Sequence, residues 1–254
     1  RTSKERFLMD IKQYDSVLEI EDLEALTLDE PAETCVIAEE FTDFIGANNM
    51  EFITMLTKLW DCPPEYTHPK IHGQDVLVTK PTVNILSGNT KEGFALAFPA
   101  EALGNGFLSR MILVQGETTG RLVTFPESVN ELRKKRLADH LLEIMARVTG
   151  QMHISKEAEQ VCDRVYKEYV PLDDHRFRHY ATRRFTHLLK LCIIHAAADL
   201  RTEITAQDVI RANTVLHYTE LKMPKALGEF GKSKYSDITN NILEFLEAAH
   251  RPIT

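Results

Sequence analysis

Two adjacent carboxylates are the first residues with chemistry to offer. In CVIAEEFTDF (35–44) four apolar residues run straight into Glu39 and Glu40, the pattern of a buried strand that delivers an acidic pair to its carboxyl end. In parallel α/β sheets that edge is where ligands bind. One carboxylate there can hold Mg²⁺, directly or through water, while the next orients and polarises a water for phosphoryl transfer. TVNILSGNT (82–90) ends a second apolar strand in Ser87-Gly88-Asn89-Thr90. An amide beside an acidic pair can position the water that attacks a γ-phosphate, although Asn89 can equally serve a turn. In GNGFLSRMILV (104–114), Arg110 stands immediately before another apolar run. An arginine so placed can reach a neighbouring subunit's nucleotide and stabilise developing charge, or lie solvated on the surface.

The elements that must position these residues differ between two halves of the chain, with the change near Pro126. Before it, CVIA (35–38), VLVT (76–79), TVNIL (82–86) and RMILVQ (110–115) are short, partly β-branched runs bounded by Gly, Pro or Asn, and read as strands. Between them, Phe52, Met55, Leu56, Leu59 and Trp60 recur at helical spacing until Cys62-Pro63-Pro64 stops the helix. HPKIHGQDVLV (68–78) carries Gly73, Gln74 and Asp75 between two extended arms and reads as a β-hairpin. After Pro126, segments 127–148, 155–170, 183–200 and 205–222 place apolar residues at three-to-four spacing, with Ser155 and Thr205 as N-caps. They predict an all-helical domain. Residues 224–234, richer in Lys and Gly, lead to a last helix, ITNNILEFLEAAH (238–250).

The chain has 254 residues and a formal charge of −8, with 43% hydrophobic residues, enough for one large domain or two small ones. Its acidic balance excludes a protein that coats nucleic acid by charge alone, so any such contact is local. Cys35, Cys62, Cys162 and Cys192 form no Cys-x-x-Cys pair and read as buried thiols of a reducing cytosol. The longest apolar stretch, LLKLCIIHAAA (188–198), is interrupted by Lys190 and His195 and is too short to span a bilayer, which needs about 20 residues. No membrane association is expected.

Taken in order, these motifs resemble the ATPase core of AAA+ P-loop helicases, nearest to the minichromosome maintenance (MCM) replicative helicases and the MCM-like ATPases of phages and mobile elements. CVIAEEF resembles a Walker B strand, with Glu39 where the family usually has Asp and Glu40 as the catalytic glutamate. NILSGNT resembles sensor 1, with Asn89 as its residue, and GFLSRMILV is similar to the arginine-finger stretch, with Arg110 acting in trans. Residues 183–216 resemble the MCM lid: Arg183 falls at the sensor-2 position, with Arg184 the alternative, His195 matches the lid-helix histidine, and Ile204-Thr205-Ala206-Gln207-Asp208-Val209 matches the segment after it. The resemblance implies an α/β P-loop NTPase core, incomplete at its N-terminus, over 1–126. An all-α lid over 127–225 and a linker with the start of a winged helix over 226–254 would follow. It further implies ATP and Mg²⁺ as cofactors, a homo-oligomeric ring of hexamer type, and single-stranded DNA in a central channel.

The Gly-rich Walker A loop of that family has no counterpart in the stretch before Walker B, since no glycine precedes Gly46. The chain is therefore expected to be the later part of an ATPase whose phosphate loop lies upstream, inactive without it. ALGEFGKS (226–233) fits a loose P-loop pattern but follows a helix and Pro224, where a working loop follows a buried strand. It reads as a linker. The hairpin sits where MCM-type motors grip DNA, which would make Lys70, His72 and Lys80 phosphate contacts. Asp173, Asp174, His175 and His179 invite a metal reading, but the interleaved Arg176 and Arg178 favour a solvated loop, and RKKR (133–136) favours a helix surface. His195 is expected to be a core histidine with one hydrogen bond. The reading that results is an ATP-hydrolysing DNA helicase or translocase; the alternative is a non-catalytic AAA+-like scaffold or loader subunit without a P-loop.

Overall fold

A computed structural model of the chain describes residues 3–13, 31–46, 48–69, 75–98, 106–125, 127–228, 242 and 245. Two compact units result, Arg1–Met111 with Leu227–Thr254, and Ile112–Ala226. The division thus falls at Met111, ahead of the expected change near Pro126, because Ile112 packs against the helical unit's core. Residues 227–254 group with the first unit. The expected winged-helix start lies almost entirely outside the described residues.

In the first unit, helix α1 (Lys4–Gln13) buries Phe7, Leu8 and Ile11, one helical stripe laid against strand β3 (Val76–Thr79) and helix α3 (Met50–Leu59). Phe7 meets Phe44 and Phe52 edge-on, with ring centroids 5.8 and 5.5 Å apart. Asn49 caps α3 by accepting from the Phe52 N–H at 3.3 Å, and the predicted Phe52, Met55, Leu56 and Leu59 are all buried. Strands β2 (Glu65–His68) and β3 form an antiparallel hairpin, with Glu65 opposite Thr79 and His68 opposite Val76; its first strand ends at His68, where the expected first arm begins, and Gly73 and Gln74 of the expected turn lie outside the described residues.

Strands β1 (Glu33–Glu40) and β4 (Thr82–Gly88) pair in parallel, Cys35 opposite Asn84 and Ile37 opposite Leu86. Helix α2 (Phe41–Ile45) starts where β1 stops, and α4 (Lys91–Ala97) follows β4 with Thr90 as its cap. Thr34, Val36 and Ala38 are half-buried, while Cys35 and Ile37 on the alternate face are exposed, Ile37 by 78% and its partner Leu86 by 67%. Parallel strands are normally covered on both faces, so this pair is half-dressed. RMILVQ corrects the strand expectation: Leu108–Arg110 is a single 3-10 turn, and 111–115 pair with nothing among the described residues. An apolar β-branched run becomes a strand only when a neighbour supplies its hydrogen bonds.

The second unit comprises α5 (Glu131–Arg147), α6 (Lys156–Glu168), α7 (Arg178–Ala198), α8 (Ala206–Glu220) and the short α9 (Met223–Ala226). It is not wholly helical. His153–Ile154 (β5) pairs in parallel with Glu203–Ile204 (β6) immediately before α6 and α8. Ala158, Cys162, Leu188, Cys192, Ala196, Val209, Ala212 and Leu216 form its core. The predicted caps are present: Ser155 accepts from the Ala158 N–H, and Thr205 forms a capping box with Asp208. By contrast α5 buries none of its side chains, and holds the unit through His140, whose Nε2 lies 2.9 Å from the Ala198 carbonyl oxygen. No helix among the described residues is long and apolar enough to cross a membrane.

Candidate functional site

The parallel pairing of β1 with β4 brings Glu39, Glu40 and Asn89 to one end of the sheet. The ladder runs in register as far as Ala38 and Ser87, then shifts so that Glu40 faces Gly88 and Glu39 is bulged out. Ser87 Oγ donates to the Ala38 carbonyl at 2.7 Å, tying the two strand ends together. Gly88 fits closely there: a Cβ on it would stand 3.0 Å from the Glu39 carbonyl oxygen. Both carboxylates are exposed, and neither forms a hydrogen bond or ion pair among the described residues. Glu40 is the N-cap of α2 by position, yet its side chain makes no capping bond.

Asn89 is held. Its Oδ1 accepts from the Thr42 hydroxyl at 3.2 Å, and its Nδ2 is buried without a partner. Two carboxylates free of counter-ions at the sheet end that also bears an uncommitted amide donor suit a hydrated divalent cation and a water or phosphate oxygen. No group of three or more His, Cys, Asp or Glu arranged around a metal occurs among the described residues. A phosphate-bearing metal ion asks for fewer, since one or two carboxylates with water and phosphate complete its shell.

Arg110 belongs to the same unit but is occupied. Its Nη2 donates to Asp61 Oδ2 at 3.0 Å, its Nη1 to the Gly106 carbonyl at 3.0 Å, and the guanidinium lies 5.5 Å from the Trp60 ring centroid. Only 10% of the side chain is exposed, so the arginine is neither solvated nor extended towards a neighbour. Lys80 is exposed at the base of the hairpin, where its N–H donates to the Pro64 carbonyl at 2.7 Å with φ at 41°. Lys70 and His72 lie outside the described residues.

In the helical unit the two sensor-2 candidates part company. Arg184 is buried: Nε donates to Glu220 Oε1 at 2.6 Å, Nη2 to Asn213 Oδ1 at 2.9 Å, and the guanidinium lies 4.4 Å from the Tyr169 ring centroid. Tyr180 adds its hydroxyl to Glu220 Oε1 at 2.9 Å. Burial first, then the Glu220 charge and hydrogen bond, push the Tyr180 phenol well above its usual range. Arg184 is thus committed to packing α7 on α8, whereas Arg183 is half-buried on the next position. His195, expected in the core, is half-buried, and its buried Nε2 has no hydrogen-bond partner. Asp174 caps a 3-10 turn and pairs with Arg176 at 2.6 Å, and Arg176 is buried, so the expected solvated loop is partly buried, its arginine held by an ion pair.

Sequence reasoning missed Thr42, Asp61, Trp60 and Glu220. Of these only Thr42, two residues after Glu40, carried a local signal. No protein-family model matches this sequence, and no curated protein matches it.

Proposed function

We propose that this chain is part of an ATP-hydrolysing DNA helicase or translocase motor, working as an oligomeric ring. The observation that carries the reading is the end of the β1/β4 pair, which bears the free Glu39 and Glu40 carboxylates and the Asn89 amide with its unpartnered nitrogen. Glu39 would hold Mg²⁺, Glu40 would take the proton of the attacking water, and Asn89 would donate to the γ-phosphate or the water. Bound ATP and Mg²⁺ supply the phosphoryl group and the charge that polarises it. The bare face bearing Ile37 and Leu86 supports the reading from another side, since a parallel pair calls for further strands and a covering helix, as a phosphate-loop βα unit would provide. Arg183 would approach the phosphates from the lid and Arg110 from a neighbouring subunit; Lys70, His72 and Lys80 would touch the DNA backbone.

In the full-length protein, Glu40→Gln should lower ATP turnover at least about 100-fold while nucleotide binding persists. Undiminished turnover removes the catalytic assignment. One observation favours a non-catalytic scaffold instead: Arg110 is engaged by Asp61 within its own unit. The reading frame immediately upstream discriminates, because a motor requires Gly-x-x-x-x-Gly-Lys-Ser/Thr after an apolar strand there and a scaffold does not.

A further inference from the structure

We infer that Thr42 is a positioning residue that commits the Asn89 amide to donating, an inference that rests on the reading of this site as a phosphoryl-transfer centre. An asparagine amide has a donor end and an acceptor end of nearly the same shape, and a rotation of 180° about its last bond exchanges them. In the structure the oxygen end is the one already bonded. The Thr42 hydroxyl, 47 residues away in the chain, donates to Oδ1 at 3.2 Å. Gly93 of α4 also leaves room for the amide, since a Cβ added there would come within 2.8 Å of Oδ1 and within 2.9 Å of Thr90 Oγ1. With Oδ1 taken, the NH₂ is the end left uncommitted, and Nδ2 has no protein partner despite its burial. A buried donor without an acceptor is costly, which points to an oxygen arriving with the ligand.

Thr42 is tied to the acid as well as to the amide. Helix α2 begins directly after Glu40, which occupies its N-cap position, and the Thr42 carbonyl accepts from the Gly46 N–H at 2.7 Å to close the turn. One helical turn therefore carries both the carboxylate that would take the water's proton and the hydroxyl that orients the group facing it. The Asn89 amide donates to the phosphate or water oxygen, and accepts no proton from the water; that transfer belongs to Glu40.

The test is steady-state ATP hydrolysis by the full-length protein. Thr42→Val, which removes the hydroxyl at nearly constant shape, should lower kcat about tenfold with KM changed less than about twofold, and Thr42→Ser should restore kcat to within about twofold. Asn89→Asp, which replaces the donor with an acceptor, should be as slow as Asn89→Ala. Thr42→Val added to Asn89→Ala should cost nothing further, as expected of two residues acting as one unit. Gly93→Ala, whose added Cβ would crowd Oδ1, supplies an independent variant should Thr42→Val fold poorly, and should also lower kcat at unchanged KM. Wild-type kcat in both Thr42→Val and Gly93→Ala, a serine variant no better than valine, or an active Asn89→Asp would overturn the inference while the catalytic site stands. A full-length wild-type protein without hydrolysis would overturn the site reading and this inference together.

Discussion

The helical unit pairs the charges it buries; the α/β unit leaves two carboxylates and a buried amide nitrogen unpaired at its sheet end. Within Ile112–Ala226, Leu188, Cys192, Ala196, Val209, Ala212 and Leu216 are wholly buried, and the charges drawn inside are paired, Arg184 with Glu220 and Asp208 with Arg201. In the first unit an equally apolar pair, Ile37 and Leu86, lies in the open on a parallel sheet with one uncovered face, and two carboxylates stand without counter-ions at its end. The contrast separates two uses of polar groups. The buried charges of the helical unit are spent on one another, whereas the polar groups of the sheet end remain available to a ligand.

Substitutions should therefore be felt as stability in one unit and as activity in the other. The largest expected stability effect is Glu220→Ala, which strands Arg184 in a buried site and should cost about 3–5 kcal/mol. Hydrogen exchange should show α7 and α8 losing protection together; unchanged protection there would dissolve the contrast.

Asp208→Asn comes next, at about 1–2 kcal/mol, because it weakens a capping box and the paired bonds from Arg201 Nη1 and Nη2 at 2.9 and 2.8 Å. Burial alone would raise the Asp208 carboxyl, but hydrogen bonds from Arg201 and from the Thr205 N–H and hydroxyl outweigh it and hold the acid well below its usual value of 3.8. A depressed folded pKa means that the stabilisation is fully present above about pH 4 and is lost as the pH falls through the folded value. An acid titration of helicity should show that low-pH limb in the wild type and lack its Asp208 share in the Asn variant.

A milder probe is alkylation of the native chain. Cys35 and Cys62 are exposed, contrary to the expectation of four buried thiols, because Cys35 points from the uncovered face and Cys62 follows the end of α3. Cys162 and Cys192 sit in the core of the helical unit, where burial, then the neighbouring Cys162 and Asp208, push the Cys192 thiol up to about 12. Mass spectrometry should find two thiols modified before unfolding and four after. The smallest effect is Ile37→Thr, within about 0.5 kcal/mol because the side chain is already in water. A loss of several kcal/mol would show that Ile37 is covered after all.

Much of this was legible in advance, and what was not had a common cause. Local patterns found β1, β3, β4, α3, the caps at Ser155 and Thr205 and the acidic pair, because each is written in a few consecutive residues. RMILVQ has the residues of a strand, but strand formation depends on a partner that sequence does not name. The exposure of α5 and of Ile37 escaped for the same reason, since amphipathic spacing says which face wants cover and not whether cover exists. Arg183 and Arg184 are indistinguishable until Glu220, 36 residues beyond Arg184, takes one of them. At the candidate site the sequence offered the reactive types and missed the Thr42 hydroxyl that orients one of them.

The embrace of Arg110 by Asp61 and the Gly106 carbonyl turns an arginine into a contested resource. Any anion offered to that guanidinium from outside competes with an aspartate that is always present, so its apparent affinity is reduced by the fraction of time the internal partner is in place. Asp61 thereby acts as a threshold: weak or transient anions leave Arg110 where it is, and only a multivalent or closely apposed one draws it out.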